Sequence, residues 1–184
     1  MIEFPLPLVG FSAYSGTGKT TLLTKLLPVL RANGLRVGVL KHAHHDFDID
    51  HPGKDSYKLR KAGGAQMVIA SSKRVALIKE RETSDKEPDL SEALAILDPT
   101  ALDLVLVEGF KREPFPKIEL HRPSLGKPLL FTNDKNIIAI AVDTPLNDMD
   151  INIPCLDINN IEAIAQFICE NILRSPKLKQ QGSA

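Results

Sequence analysis

Apolar positions follow two rhythms along this chain. Short, largely apolar runs read as buried strands: Leu6–Ser12, Arg36–Lys41, Leu102–Val107 and Ile137–Val142, with Lys117–His121 as a further candidate. Between them lie stretches with helical spacing. Leu22, Leu23, Leu26, Leu27 and Leu30 make one stripe, which predicts a helix from Gly18 to about Asn33. Asn33-Gly34 is its stop signal, and Pro28 is expected to kink it by removing one ladder hydrogen bond. A short helix is predicted from an Asp55 cap through Lys61, closed by Gly63-Gly64. Asp89 can cap another, carrying Leu90, Leu94 and Leu97 on one face. The last begins at Asn159 or Asn160, with Ile161, Ile164, Ala165, Ile168 and Ile172 facing inward.

Two further runs, Gln66–Ala70 and Val75–Lys79, flank Ser71-Ser72-Lys73-Arg74 and predict a β-hairpin. Glu80–Asp89 reads as a charged, mobile loop. Buried strands alternating with helices predict an α/β protein, three layers around a mostly parallel sheet, with the hairpin as an addition. The 184 residues fit a single domain over 1–174, followed by a flexible polar tail over 175–184.

Composition narrows the classes. Lys and Arg number 23, as do Asp and Glu, so no global positive field exists to hold nucleic acid or an anionic membrane. No apolar run is long enough for a transmembrane helix, and Met1-Ile2-Glu3 does not open a secretory signal. Cys155 and Cys169 fit neither a disulfide framework nor a zinc ribbon and read as two half-buried free thiols. A cytoplasmic location is the expectation.

The strongest chemical signal is Ala13-Tyr14-Ser15-Gly16-Thr17-Gly18-Lys19-Thr20, followed by Thr21. It matches the phosphate loop G-x-x-x-x-G-K-[ST], except that Ala13 replaces the first glycine. Ala is tolerated there provided its φ is negative. Gly16 and Gly18 let backbone N–H groups turn inward toward phosphate oxygens, and the following helix aims its positive end at the same anion. Lys19 supplies a point charge for β- and γ-phosphates, and the Thr20 hydroxyl is placed to ligate Mg²⁺. With a strand before and a helix after, this predicts the P-loop NTPase fold.

Such a loop needs a carboxylate near Mg²⁺ at a neighbouring strand's end. Glu108 ends the run Leu104–Val107 at the C-terminal edge, where open α/β sheets bind ligands, whereas Asp103 begins that run at the wrong end. A solvated strand-end acid is the plainer reading of Glu108. Lys41 closes the second strand and can reach a phosphate or stay on the surface. Beyond it, His42, His44, Asp46, Asp48 and Asp50 share one side of an extended chain. Asp46 leads the candidates for a direct or water-mediated contact to Mg²⁺; a transition-metal site and a solvated loop are the alternatives. Lys54, Lys58, Arg60 and Lys61 form a basic helix, either a second anion site or a solvated face.

Four segments together are more specific than the phosphate loop alone. They are Ser15–Leu22, Leu40–Asp46, Pro52–Tyr57 with Arg60–Gly63, and Leu106-Val107-Glu108-Gly109-Phe110-Lys111. In this order, over about residues 5–174, the chain resembles the MobB family, the molybdopterin-guanine dinucleotide biosynthesis proteins B. The resemblance implies a homodimeric, GTP-binding protein with Mg²⁺ and weak GTP hydrolysis. It further implies an accessory role to the MobA guanylyltransferase, which joins GMP to molybdopterin. The phosphate site carries over to Ser15, Gly16, Thr17, Gly18, Lys19, Thr20 and Thr21, and an acidic role to Glu108.

Base choice rests on that resemblance, because the guanine motif N-K-x-D is absent. Asn133-Asp134-Lys135 has similar residues in another order. Asp143, just past Ile137–Val142, is one of many residues able to accept from guanine N1 and N2. Hydrolysis is expected to be slow, since no arginine finger or water-positioning Gln emerges from the motifs. Two other functions fit parts of the pattern. One is an ATP-dependent small-molecule kinase or ligase, resembling dethiobiotin synthetase, with Lys41 and the His/Asp run binding the acceptor. The other is a metallochaperone NTPase carrying metal on His42, His44 and His45. The hairpin, residues 66–79, has apolar Val68, Ile69, Val75, Leu77 and Ile78 in runs, so neither face is fully polar; a homodimer joined there is expected.

Overall fold

Strands that are apolar on both faces must be covered on both faces. Val9, Phe11, Leu104, Leu106, Ile118 and Leu120 point to one side of the central sheet and pack against Leu22, Leu23, Leu26, Leu30, Ile164, Ala165 and Ile168. Leu8, Val105, Val107 and Leu40 point to the other and meet Leu90, Leu94, Phe110 and Phe115. The computed structural model describes residues 4–43, 47–81, 87–146 and 151–173.

The elements are β1 (Leu8–Ser12), α1 (Lys19–Ala32), β2 (Val37–Lys41), α2 (Asp55–Lys61), β3 (Gln66–Ala70), β4 (Val75–Lys79), α3 (Leu90–Leu94), β5 (Leu104–Glu108), β6 (Lys117–His121), β7 (Ile137–Val142), β8 (Cys155–Asp157) and α4 (Ile161–Asn171). Six strands form a parallel sheet in the order β2-β5-β1-β6-β7-β8, and β3 and β4 pair separately as an antiparallel hairpin. The expected α/β architecture with its hairpin is what the chain adopts.

Two compact units divide the chain: Met1–His42 with Asp89–Ala184, and Ala43–Pro88. In the first, α1 runs through Pro28 as one continuous helix. Asp89 caps α3 by accepting from Ser91 N, and Asn160 caps α4 by accepting from Ala163 N. The strand β8 has no counterpart in the predicted elements. Cys155, expected to be half-buried, is exposed on it, while burial pushes the Cys169 thiol up.

Strand β6 is buried along its whole length although Lys117, Glu119 and His121 alternate with Ile118 and Leu120. Lys117 and Glu119 on its polar side are satisfied by the segments just before and after the strand. Lys117 Nζ donates to Glu113 O at 2.7 Å and pairs with Asp134 at 2.9 Å. Both Glu119 oxygens accept backbone N–H bonds, from Leu130 and Phe131, at 2.8 Å each. Burial nonetheless raises the Glu119 carboxyl above its ordinary range.

In the second unit, α2 begins at Asp55, with Lys54 in the cap position, so Asp55 is the first helical residue rather than the cap. Arg60 differs more from expectation. Its side chain is 5% exposed and pairs with Asp48 and Asp50 at 2.6 Å each and with Glu80 at 2.7 Å. It fastens α2 to the preceding loop and to the end of β4, and is not available as part of a basic anion-binding face. Asp48 and Asp50 are likewise engaged by a cation of the chain itself.

Candidate functional site at the phosphate loop

The C-terminal ends of β1, β2, β5, β6 and β7 lie along one edge of the parallel sheet. From β1 the chain enters the glycine-rich loop. Thr17 turns back on Tyr14, its N–H and its hydroxyl both donating to Tyr14 O, at 3.3 and 2.7 Å. Gly16 and Gly18 hold φ of 83° and 94°, the left-handed region that side chains avoid, and Gly18 is the N-terminal cap of α1. Ala13 is buried and is not among the positive-φ residues, so the missing first glycine costs no strain. Ser15, Gly16, Thr20 and Thr21 are exposed, and Thr17 is buried.

Glu108 stands where the strand reading put it. In register it faces Phe11 of β1 and Lys41 of β2. Its carboxylate lies 3.5 Å from Lys19 Nζ and 3.8 Å from Lys41 Nζ. Asp103, at the opposite end of β5, accepts three bonds from Arg36: from the backbone N–H at 2.9 Å, from Nε at 3.0 Å and from Nη2 at 2.9 Å. After Glu108 the chain reverses through Gly109 at φ 96° and Phe110 at φ 48°, a rare conformation for a bulky residue. Phe110 stacks on His42, ring centroids 4.7 Å apart, and His42 N donates to Glu108 O at 2.8 Å.

Two cations at this edge were given no site role by the sequence reading, Lys111 being named only within the Leu106–Lys111 segment and Arg122 not at all. Lys111 Nζ donates to Ala13 O at 3.2 Å; burial and then the nearby Lys19 charge lower its pKa. Arg122 Nε donates to Thr17 O at 2.8 Å, and its Nη1 pairs with Asp143. Arg122 directly follows β6 and Lys111 lies beyond the Gly109-Phe110 turn after β5, at the edge where ligands of open sheets bind, and that position was the available signal. Asp134, from the N-K-x-D-like segment, is engaged by Lys117 and serves the fold. His44, His45 and Asp46 lie outside the described residues, and among those described no group of three or more His, Cys, Asp or Glu is arranged to hold a metal ion. The hydroxyl of Thr20 and the carboxylate of Glu108 are hard oxygen donors of the kind Mg²⁺ takes.

A glycine-curled loop between a buried parallel strand and a helix, with a lysine at its end and a carboxylate on the adjoining strand, defines a P-loop protein of the α/β class. The model of the family MobB, "Molybdopterin guanine dinucleotide synthesis protein B", matches residues 8–143. Among curated proteins, the molybdopterin-guanine dinucleotide biosynthesis adapter protein of Escherichia coli (strain K12) is 50% identical over 166 residues, 90% of this chain and 93% of that protein. The protein of the same description from Haemophilus influenzae is 46% identical over 89% of this chain and 88% of its own length. A crystal structure of molybdopterin-guanine biosynthesis protein B superposes with a TM-score of 0.69 at 29% identity, covering 91% of this chain and 99% of that one. The chain belongs to the MobB family.

Proposed function

We propose that this protein is an adapter in molybdopterin-guanine dinucleotide biosynthesis that binds GTP with Mg²⁺ at the phosphate loop. In this reading it assists the MobA guanylyltransferase that acts on molybdopterin, and it hydrolyses GTP slowly. The pathway follows from family membership and from the curated relatives' descriptions. The observation that carries the ligand reading is the pairing of Lys19 and Lys41 with one carboxylate, Glu108, with Lys111 held on Ala13 O at the start of the glycine-rich loop. Three cations against one anion suit a polyphosphate that brings its own divalent ion.

Roles follow from position. Backbone N–H groups from Ser15 to Thr21 and the start of α1 cradle the phosphates, and Lys19 neutralises their outer oxygens. Lys41 and Lys111 add charge from either side. Thr20 and Glu108 would hold Mg²⁺, which would supply positive charge at the terminal phosphates. No membrane or nucleic-acid partner is part of this reading. Among the described residues, no helix is long and apolar enough to cross a membrane.

The reading includes a homodimer formed through the β3–β4 hairpin. Directly paired residues share a face, and Val68 opposite Leu77 and Ala70 opposite Val75 form one that is exposed: Val68 61%, Leu77 41% and Val75 69%. A two-stranded sheet with such a face gains by being covered.

Calorimetric titration of the full chain with GTP and with ATP, each with and without Mg²⁺, tests the ligand. Mg²⁺-dependent GTP binding is expected. Binding of neither triphosphate refutes the reading, and equal binding of both returns base choice to an open state.

A further inference from the structure

We infer that Arg122 and Asp143 form a base-reading pair tied to the phosphate loop, which selects a purine with acceptors on one edge and donors on the adjoining one, that is, guanine. The inference rests on the proposal that the loop holds a nucleoside triphosphate.

The pair owes its position to the sheet. Strands β6 and β7 are parallel neighbours whose last registered residues are His121 and Val142. Arg122 and Asp143 therefore leave the same edge side by side, the edge that also carries the loop after β1. Arg122 is fastened at two points. Its Nε donates to Thr17 O at 2.8 Å, and Nη1 donates to Asp143 Oδ2. Its Nη2 lies 3.7 Å from where a Cβ on Gly18 would sit, so the guanidinium lies against the left-handed turn that opens α1.

Asp143 carries the second observation. Its Oδ1 is buried, and among the described residues no donor reaches it. A buried carboxylate oxygen without a donor is a costly arrangement that a ligand N–H can relieve. The side chains as a whole remain reachable, Arg122 being 32% exposed and Asp143 21%. A ligand N–H reaches that oxygen when the Asp143 side chain turns about χ1 and carries it out of its buried position.

The chemistry of the pair decides the ligand. A guanidinium only donates, and a carboxylate only accepts. A planar ring lying along both must offer acceptors to Arg122 and donors to Asp143 in adjacent positions. Guanine does so, with N7 and O6 facing the arginine fork and N1–H and N2–H₂ facing the carboxylate. Adenine sets its N6 amino group against the guanidinium and its N1 lone pair against the carboxylate, leaving polar groups opposed on both sides. Because Nε also holds Thr17 O, the residue that meets the base is the one that braces the phosphate loop.

The test is a titration series on the full chain with Mg²⁺ and GTP, ITP, ATP or XTP, for the wild type and Asp143→Asn. The wild type is expected to bind GTP at least about tenfold tighter than ATP or XTP, and several-fold tighter than ITP, which lacks the 2-amino group. Asp143→Asn is expected to lose about tenfold or more for GTP and to gain for XTP, whose O2 accepts from the new amide. A gain of that kind cannot come from misfolding. Equal losses for GTP and XTP, or no change in either, overturn the inference. So does a wild type that binds GTP and ITP alike, a comparison that needs no variant. A wild type that binds no triphosphate instead overturns the phosphate-loop reading, and this inference with it.

Discussion

Lys19 Nζ lies 3.5 Å from Glu108 Oε1, joining the last charged residue of the phosphate loop to the acid at the end of β5. Both side chains are largely shielded, 20% and 16% exposed, so water does not screen the pair fully. A polyphosphate competes with Glu108 for Lys19, and a divalent cation competes with Lys19 for Glu108. Each ligand thus releases the group that the other needs. GTP and Mg²⁺ are therefore expected to bind cooperatively. Glu108→Gln should lower Mg²⁺-dependent turnover by roughly tenfold or more while changing GTP affinity by less than about fivefold. Lys19→Ala should weaken GTP by roughly 10- to 100-fold with unchanged circular dichroism. Turnover against Mg²⁺ concentration checks the first; an unaltered curve moves the metal's carboxylate elsewhere. Unchanged affinity in folded Lys19→Ala would remove the phosphate role from the loop.

Gly109 makes the turn after Glu108 possible. A Cβ added there would lie 2.5 Å from His42 Cβ, and the backbone φ of 96° already excludes most side chains. Gly109→Ala should cost about 2–4 kcal/mol, strain and overpacking together. It should also push His42 away from its stack on Phe110. Urea denaturation measures the cost, and a midpoint matching the wild type would show that the two strand ends part freely.

The cluster around Arg60 predicts an acid sensitivity. Hydrogen bonds from Arg60 hold the Asp50 carboxyl below its ordinary value of 3.8. The folded state then binds fewer protons than the unfolded one. The resulting stability is present above 3.8 and is lost as pH falls through the lower folded value. Asp50→Asn should therefore weaken the unit Ala43–Pro88 at neutral pH and flatten its acid unfolding. Hydrogen exchange of the β3 and β4 amides, corrected for intrinsic rates, reports both effects. Superimposable acid profiles for the two proteins would show that the Asp50 pair adds no stability.

Val68 is the place to test the hairpin as a dimer contact. It lies opposite Leu77 on the exposed apolar face, so a charge there disturbs no core. Light scattering at tens of micromolar is expected to give a dimeric wild type. Val68→Glu should weaken that dimer by about tenfold or more, since a carboxylate buried without a partner is expensive. A monomeric wild type, or a variant that dimerises equally well, would each count against this contact.

Local pattern determined much of this protein. A residue's place on a strand or helix face depends on neighbours two to four positions away, and that spacing is written in the chain. Hence the stripe Leu22–Leu30, the hairpin pairs, the cap Asp89, the start of the last helix to within one residue, the phosphate loop and Glu108 at its strand end were legible in the sequence. Strand β8 was not. Cys155–Asp157 is only three residues long and is a strand because the edge of β7 pairs with it. The order of strands is likewise a long-range matter. Only the insertion of β1 between β5 and β6 brings the loop beside Glu108 on one side and Arg122 on the other. The charges divided by the same rule. Arg60 lies 10 residues from Asp50 and 20 from Glu80, and Arg122 lies 105 from Thr17. No periodicity encodes such distances, so whether a cation meets a ligand or another side chain was settled when the chain packed.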